Sequence, residues 1–183
     1  MAIRSSLCMV LLAISAMAPV YGAGRDEVTL RPPAVPLVAC DPYFSIWSCA
    51  DRLTDDATRH WTGRPHRLTG LVRIDGQTYR ILGDTPADVA PLEQKSLQVL
   101  PTRTIYEFEG AGVHVTLTFM TPALPEDLDV LSRPLTYVIW DVRATDGKEH
   151  DVQLYFSSSA ELAVNVPEQK VVWSRPNTDK LLV

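Results

Sequence analysis

From Leu68 onward, apolar side chains recur at close to every second position, and the runs break at glycine-bearing turns. A period of two puts alternate side chains on opposite faces of a strand, whereas a helix needs a period near 3.6. Leu68–Ile74 and Gln77–Leu82 flank Asp75-Gly76, a pair suited to the backbone of a two-residue hairpin turn. Residues 103–109 and 113–121 flank Gly110-Ala111-Gly112 and form a second predicted hairpin. Within 113–121, Val113, Val115, Leu117 and Phe119 face one way, and His114, Thr116 and Thr118 the other. That is the pattern of a sheet covered on one face. Residues 135–144 and 150–158 repeat the arrangement around Asp146-Gly147.

The remaining segments are assigned around these hairpins. Residues 23–36 end in Arg31-Pro32-Pro33-Ala34-Val35-Pro36, which predicts an extended entry strand or strap. Residues 44–47 form a short strand with Phe44 and Ile46 on one face and Ser45 and Trp47 on the other. Residues 84–96, polar and carrying Pro86 and Pro91, read as a loop, and 97–100 as a short strand stopped by Pro101. Acids precede the apolar positions within 122–133, which predicts one helical turn or two. Residues 161–166 and 170–174 read as two further strands separated by Pro167-Glu168. The sum is about ten strands and almost no helix, an all-β, mostly antiparallel β-sandwich. The final Asp179-Lys180-Leu181-Leu182-Val183 reads as the start of another apolar strand, so the sandwich is expected to be truncated at its C-terminal end.

The N-terminus reads as a secretion signal. Arg4 supplies the positive charge, residues 7–17 the apolar run, and Val20 and Gly22 the small-residue positions before a cut after Gly22. The run is shorter than the roughly 20 apolar residues of a membrane span, so no stable membrane span is expected. The expected organisation is a signal peptide at 1–22, an extended aromatic-rich segment at 23–66 and a β-sandwich domain at 67–183. The expected location is outside the cell or in the periplasm. The 183 residues carry a net charge of −5, and removing 1–22 takes away Arg4 and no acid. This acidic balance argues against a nucleic-acid partner.

Residues 40–63 depart from the strand pattern and concentrate the side chains that carry chemistry. Tyr43, Phe44, Trp47 and Trp61 stand among Asp41, Asp51, Asp55, Asp56, Arg52, Arg59 and His60. Tyr43, Trp47 and Trp61 are candidates for recognition through their ring faces; the alternative is that they fill a small core under a loop. Cys40 and Cys49, nine apart in an oxidising compartment, are candidates for a disulfide; the alternative is two free thiols. Nucleotide-binding, zinc-peptidase, C-x-x-C and G-x-S-x-G motifs are absent. His60, His66, His114 and His150 lack metal-ligand spacing, and Asp51, Asp55 and Asp56 lack the alternation and glycine of a calcium loop. Ser157-Ser158-Ser159 has no base beside it and reads as a strand end. Asp41 with Glu107 or Glu109 offers a carboxylate pair, but the sequence fixes no separation for glycoside hydrolysis. No metal and no cofactor is expected.

Several segments together resemble the N-terminal region of the secreted glutaminase A-type family. They are Arg31-Pro32-Pro33-Ala34-Val35-Pro36-Leu37, Asp41-Pro42-Tyr43-Phe44-Ser45-Ile46-Trp47, Leu53-Thr54-Asp55 and His60-Trp61-Thr62-Gly63. Leu68-Thr69-Gly70-Leu71-Val72-Arg73-Ile74-Asp75-Gly76, Met120-Thr121-Pro122, Ser132-Arg133-Pro134-Leu135-Thr136-Tyr137 and Asp151-Val152-Gln153-Leu154-Tyr155-Phe156 continue it, in order, across residues 30–183. Cys40 and Cys49 depart from what the resemblance leads one to expect at those positions. The resemblance implies a β-sandwich followed by a catalytic α/α-barrel domain of the same polypeptide, which hydrolyses L-glutamine to L-glutamate and ammonia. On that basis this chain is the non-catalytic portion, inactive alone, and its catalytic residues are not assignable. Asp41, Tyr43, Trp47, Arg59, His60 and Trp61 are then the candidates for contact with that domain or with a small-molecule substrate at the domain interface. The alternative is a carbohydrate-binding or glycoside-hydrolase accessory sandwich, since architecture alone does not decide function.

Overall fold

A computed structural model describes residues 31–166, 168–174, 177–178 and 181–182. The expected signal peptide lies outside the described residues. Among the described residues no helix is long and apolar enough to cross a membrane.

The hairpins form where the sequence places them. β1 (Val35–Ala39) pairs antiparallel with β2 (Ser45–Ser48), with an irregularity between Pro36 and Val38. Proline donates no ladder hydrogen bond, and an edge strand with a bulge tolerates it. β3 (Leu68–Ile74) and β4 (Gln77–Leu82) are joined by Asp75 at φ 49° and Gly76 at φ 88°, the left-handed pair of a type I′ turn. β5 (Glu93–Leu100), β6 (Arg103–Gly110), β7 (Val113–Met120) and β8 (Tyr137–Ala144) run antiparallel in that order in one sheet. β9 (Val152–Ser158) returns to pair with β3, which gives the second sheet its order β4-β3-β9. A separate two-residue ladder joins β10 (Asn177–Thr178) to β11 (Leu181–Leu182).

One apolar cluster holds the sheets together. Val72 and Ile74 of β3 and Ile81 and Leu82 of β4 join Tyr106 and Phe108 of β6 and Val115, Leu117 and Phe119 of β7. Val35 and Leu37 of β1 and Ile46 of β2 belong to the same cluster. Facing sheets around a shared apolar layer are the layout of a β-sandwich. Burying a side chain such as Phe108 contributes about 1.5–3 kcal/mol. The expected helical turn is α1 (Leu128–Leu131), capped by the Asp127 carboxylate, which accepts from the Val130 N–H at 3.0 Å.

Two strand assignments are corrected. Residues 161–166 are not a strand; Ala160–Ala163 form a 3-10 turn. The Glu161 carboxylate accepts from the Ser159 hydroxyl at 2.7 Å and the Arg67 N–H at 3.0 Å, and pairs with the Arg67 guanidinium. Farther on, the Gln169 side-chain oxygen takes the Asn165 N–H at 2.6 Å, a donor a ladder would have used. Residues 170–174 have no strand structure. The loop expected at 84–96 is shorter, because β5 begins at Glu93. β5 is an edge strand whose first half, residues 93–96, is mostly exposed and lacks apolar alternation, whereas Leu97 and Val99 pack against the core.

The long segment between β2 and β3 is anchored by Arg80. Its buried guanidinium donates to the Thr54 and Gly83 carbonyl oxygens at 2.6 and 2.8 Å. Gly83 N–H donates to Leu53 O at 3.0 Å, and Leu53 is fully buried. These bonds fix the base of the segment that carries Arg59, His60 and Trp61.

Candidate functional site

The segment returns toward β2 through a backbone bridge. Trp47 N–H donates to Arg59 O at 2.7 Å, and Arg59 N–H donates to Trp47 O at 2.9 Å. The Arg59 guanidinium lies against the Asp56 carboxylate in a two-pronged contact at 2.9 and 3.2 Å, so this cation serves the loop. Asp41 is likewise committed locally. Its carboxylate accepts from the N–H groups of Tyr43 and Phe44 at 2.7 and 2.9 Å and closes the turn between β1 and β2.

That turn aims the Pro42 carbonyl at the next loop. Its oxygen accepts from Trp61 Nε1 at 2.7 Å and is 2.9 Å from His60 Nε2. A carbonyl only accepts, so His60 carries its proton on Nε2, and its Nδ1 in the neutral ring is an acceptor. Thr62 Oγ1, 2.8 Å from Nδ1, is the donor. A hydroxyl beside an imidazole is also the first requirement of an activated nucleophile. Here, however, the Thr62 N–H points at the same nitrogen at 3.3 Å, so the contact closes a local turn.

Tyr43 and Trp61 flank this junction and remain 91% and 63% exposed. One open cleft of about 520 Å³ is bordered by Tyr43, His60, Arg64, His66, Asn165 and Gln169. A second, of about 280 Å³, is bordered by Asp41, Pro42, Ser45, Trp47 and Trp61. The His60 and His66 rings lie 5.1 Å apart. Burial lowers the pKa of His66, and neighbouring His60 and Arg64 push the same way against Glu161. Burial alone would raise Glu161, but hydrogen bonds from Ser159 and the Arg67 backbone, with the charges of Arg67 and His66, outweigh it and lower its pKa.

Three buried side-chain polar atoms have no hydrogen-bond partner among the described residues: Ser45 Oγ, Trp47 Nε1 and His66 Nδ1. All three belong to residues bordering the two clefts. Leaving a buried polar group unpaired costs about 1–3 kcal/mol. Rings, donors and unpaired polar groups thus lie side by side, and among the described residues bordering the two clefts no nucleophile is held by a separate base.

The structure therefore brings Tyr43, His60 and Trp61 together around Pro42, places Trp47 with Trp61 at the border of the second cleft, and assigns Asp41 and Arg59 to holding the loops. Ser45, Thr62, Arg64 and His66 are additional members. Ser45 was readable from its strand alternation with Trp47 and Arg64 from its place directly after Gly63, whereas no local signal marked His66. Asn165 and Gln169 reach the cleft only because their segment is not a strand, for which the sequence had no signal. Among the described residues no group of three or more His, Cys, Asp or Glu is placed to hold a metal ion.

The disulfide proposed for Cys40 and Cys49 is corrected: both thiols are free. In the β1–β2 register Ala39 faces Ser45 and Val35 faces Ser48. Cys40 thus lies at the closed end of the hairpin and Cys49 just past its open end. Four to five strand residues separate these ends, roughly 15 Å, and a disulfide needs Cα atoms within about 7 Å. Cys40 Sγ instead lies 3.6 Å from Thr136 Oγ1.

Comparison with known proteins finds two families along the chain, both described as domains of unknown function. DUF4964 matches residues 6–94 and DUF5127 matches residues 102–183. Glutaminase A of Aspergillus oryzae (strain ATCC 42149 / RIB 40) is 30% identical over 176 residues, which is 92% of this chain and 25% of that protein. The chain thus spans about a quarter of the length of the relative it matches. No solved structure matches.

Proposed function

From a chain whose similarity fits an N-terminal region of a glutaminase A-like protein, we propose that it is the non-catalytic β-sandwich portion of an amidohydrolase. The reaction of the whole protein is hydrolysis of L-glutamine to L-glutamate and ammonia outside the cytoplasm. The catalytic domain is an α/α-barrel elsewhere in the same polypeptide. The surface formed by Tyr43, His60, Trp61, Arg64 and His66 packs against that domain and walls one side of its substrate cleft.

The observation that carries this reading is the concentration of unmet contacts around one junction. Tyr43 and Trp61 leave large ring area in water, and the described buried atoms without partners border the two clefts beside them. Aromatic side chains are the usual anchors of protein interfaces. A docked domain supplies both apolar cover and polar partners. The exposed Trp61 ring also suits stacking on a sugar, which is the specific support for the alternative of a carbohydrate-binding sandwich.

The test is ammonia release from L-glutamine by the long polypeptide, with residues 31–183 alone as the comparison. Release by the long polypeptide only is expected. Tryptophan-fluorescence titration with soluble glycans separates the alternative: saturable quenching together with no ammonia release would replace the glutaminase reading.

A further inference from the structure

The sandwich is open along one side. β9 is the last strand of its sheet and, among the described residues, pairs only with β3. Its Leu154 stands opposite Val72 and its Phe156 opposite Gly70. Opposed residues of an antiparallel pair share a face, and Val72 is fully buried in the core. Leu154 and Phe156 therefore look inward, yet they remain 45% and 41% exposed. On the facing sheet β8 is also a last strand, and its inward Val138, Trp140 and Val142 are only partly buried. The Trp140 ring crosses between the layers to lie 3.2 Å from where a side chain on Gly70 would begin. The apolar interior thus reaches solvent between the β8 and β9 edges.

We propose that the β9 edge is a docking site for an extended strand from another part of the same polypeptide. The docked strand alternates apolar and polar residues and lays its apolar side chains over Leu154 and Phe156. A strand, rather than a helix, fits because alternate N–H and C=O groups of β9 point away from β3 and need ladder partners. An open, flat, apolar edge also invites aggregation. The match to a relative of which this chain covers 25% indicates ample further sequence in a protein of this kind. A tethered strand arrives at high effective concentration. This rests on the reading above only in taking the polypeptide to be longer than this chain.

The test is hydrogen exchange followed by mass spectrometry on the long polypeptide. The outward amides of β9 are expected to exchange at least about tenfold more slowly than those of the β5 edge. Equal exchange at the two edges overturns the proposal. Protection that vanishes on dilution, with a concentration-dependent mass, assigns the edge to a second copy and also overturns it. Phe156→Asp is expected to lower the melting temperature of the long polypeptide far more than Tyr155→Asp, whose side chain points outward; small, equal shifts count against docking. Protection at β9 in a polypeptide that releases no ammonia would leave this inference standing and remove the glutaminase reading.

Discussion

The Trp61 indole N–H donates to the Pro42 carbonyl oxygen at 2.7 Å, so a ring left largely in water is still held in one place. A fixed, exposed ring presents contact area without the entropy cost of ordering it on binding. Trp61→Phe keeps an apolar ring and removes the donor. It should cost about 0.5–1.5 kcal/mol, the net worth of one hydrogen bond, in urea unfolding of the protein. Trp61→Ala removes the ring as well and should lower both stability and glutamine turnover of the long polypeptide. Unchanged turnover and melting in Trp61→Ala would remove this residue from the contact.

His150 joins two turns. Its Nδ1 is 2.6 Å from Asp75 in the β3–β4 turn, and its Nε2 is 3.0 Å from Asp146 in the β8–β9 turn. The hydrogen bonds and charges of Asp146 and Asp75 raise the His150 pKa above 6.5. The His150 hydrogen bond lowers Asp146 from 3.8 to about 2 and lowers Asp75 as well. The histidine contribution is complete below 6.5 and disappears as pH rises through the raised value. The carboxylate contribution is complete above 3.8 and disappears as pH falls, for Asp146 through about 2. The melting-temperature difference between the wild type and His150→Gln should therefore be largest between these ordinary values, about pH 4 to 6.5. It should shrink on either side. A difference that does not vary with pH would show that the ring acts by packing alone.

Gly83 has φ +82°, and a methyl group there would stand 2.3 Å from Leu68 O. Neither the backbone conformation nor the space suits another residue. Gly83→Ala should destabilise by on the order of 3 kcal/mol, read as a lower urea midpoint at unchanged slope. It should also loosen the 53–66 segment, whose Leu53 carbonyl bonds to the Gly83 N–H. A loss below about 1 kcal/mol would contradict the close approach.

The hairpins were legible because their turns and alternation are local. Asp75-Gly76 and the Val113, Val115, Leu117, Phe119 face each report on a few neighbouring residues. β1 was visible as an extended entry strand or strap but not as the partner of β2, since Pro36 interrupts the alternation and the strand's burial comes from packing on β6 and β7. Residues 161–166 misled because Glu161 is captured by Arg67, far away in sequence. At the candidate site, Tyr43, His60 and Trp61 were readable as a dense aromatic run. The convergence of His60 and Trp61 on the Pro42 carbonyl was not, because a backbone acceptor leaves no trace in residue type. His66 was missed as a member for a related reason: its character comes from burial beside His60.

The cysteine correction has its own check. Cys40 and Cys49 lie at opposite ends of one hairpin, so reducing agent should leave the melting temperature unchanged. Both should alkylate in the unfolded, unreduced protein. Resistance of either to alkylation, reversed by reduction, would show the pairing to exist.

The contact surface is tested most directly by hydroxyl-radical footprinting at Tyr43 and Trp61, in this chain and in the long polypeptide. In this chain both rings are open to water and should oxidise rapidly. In the long polypeptide both should be protected at least severalfold, as rings buried at an interface are. Equal oxidation of both rings in the two proteins would mean that this surface faces solvent, and would contradict its role as the contact with a catalytic domain.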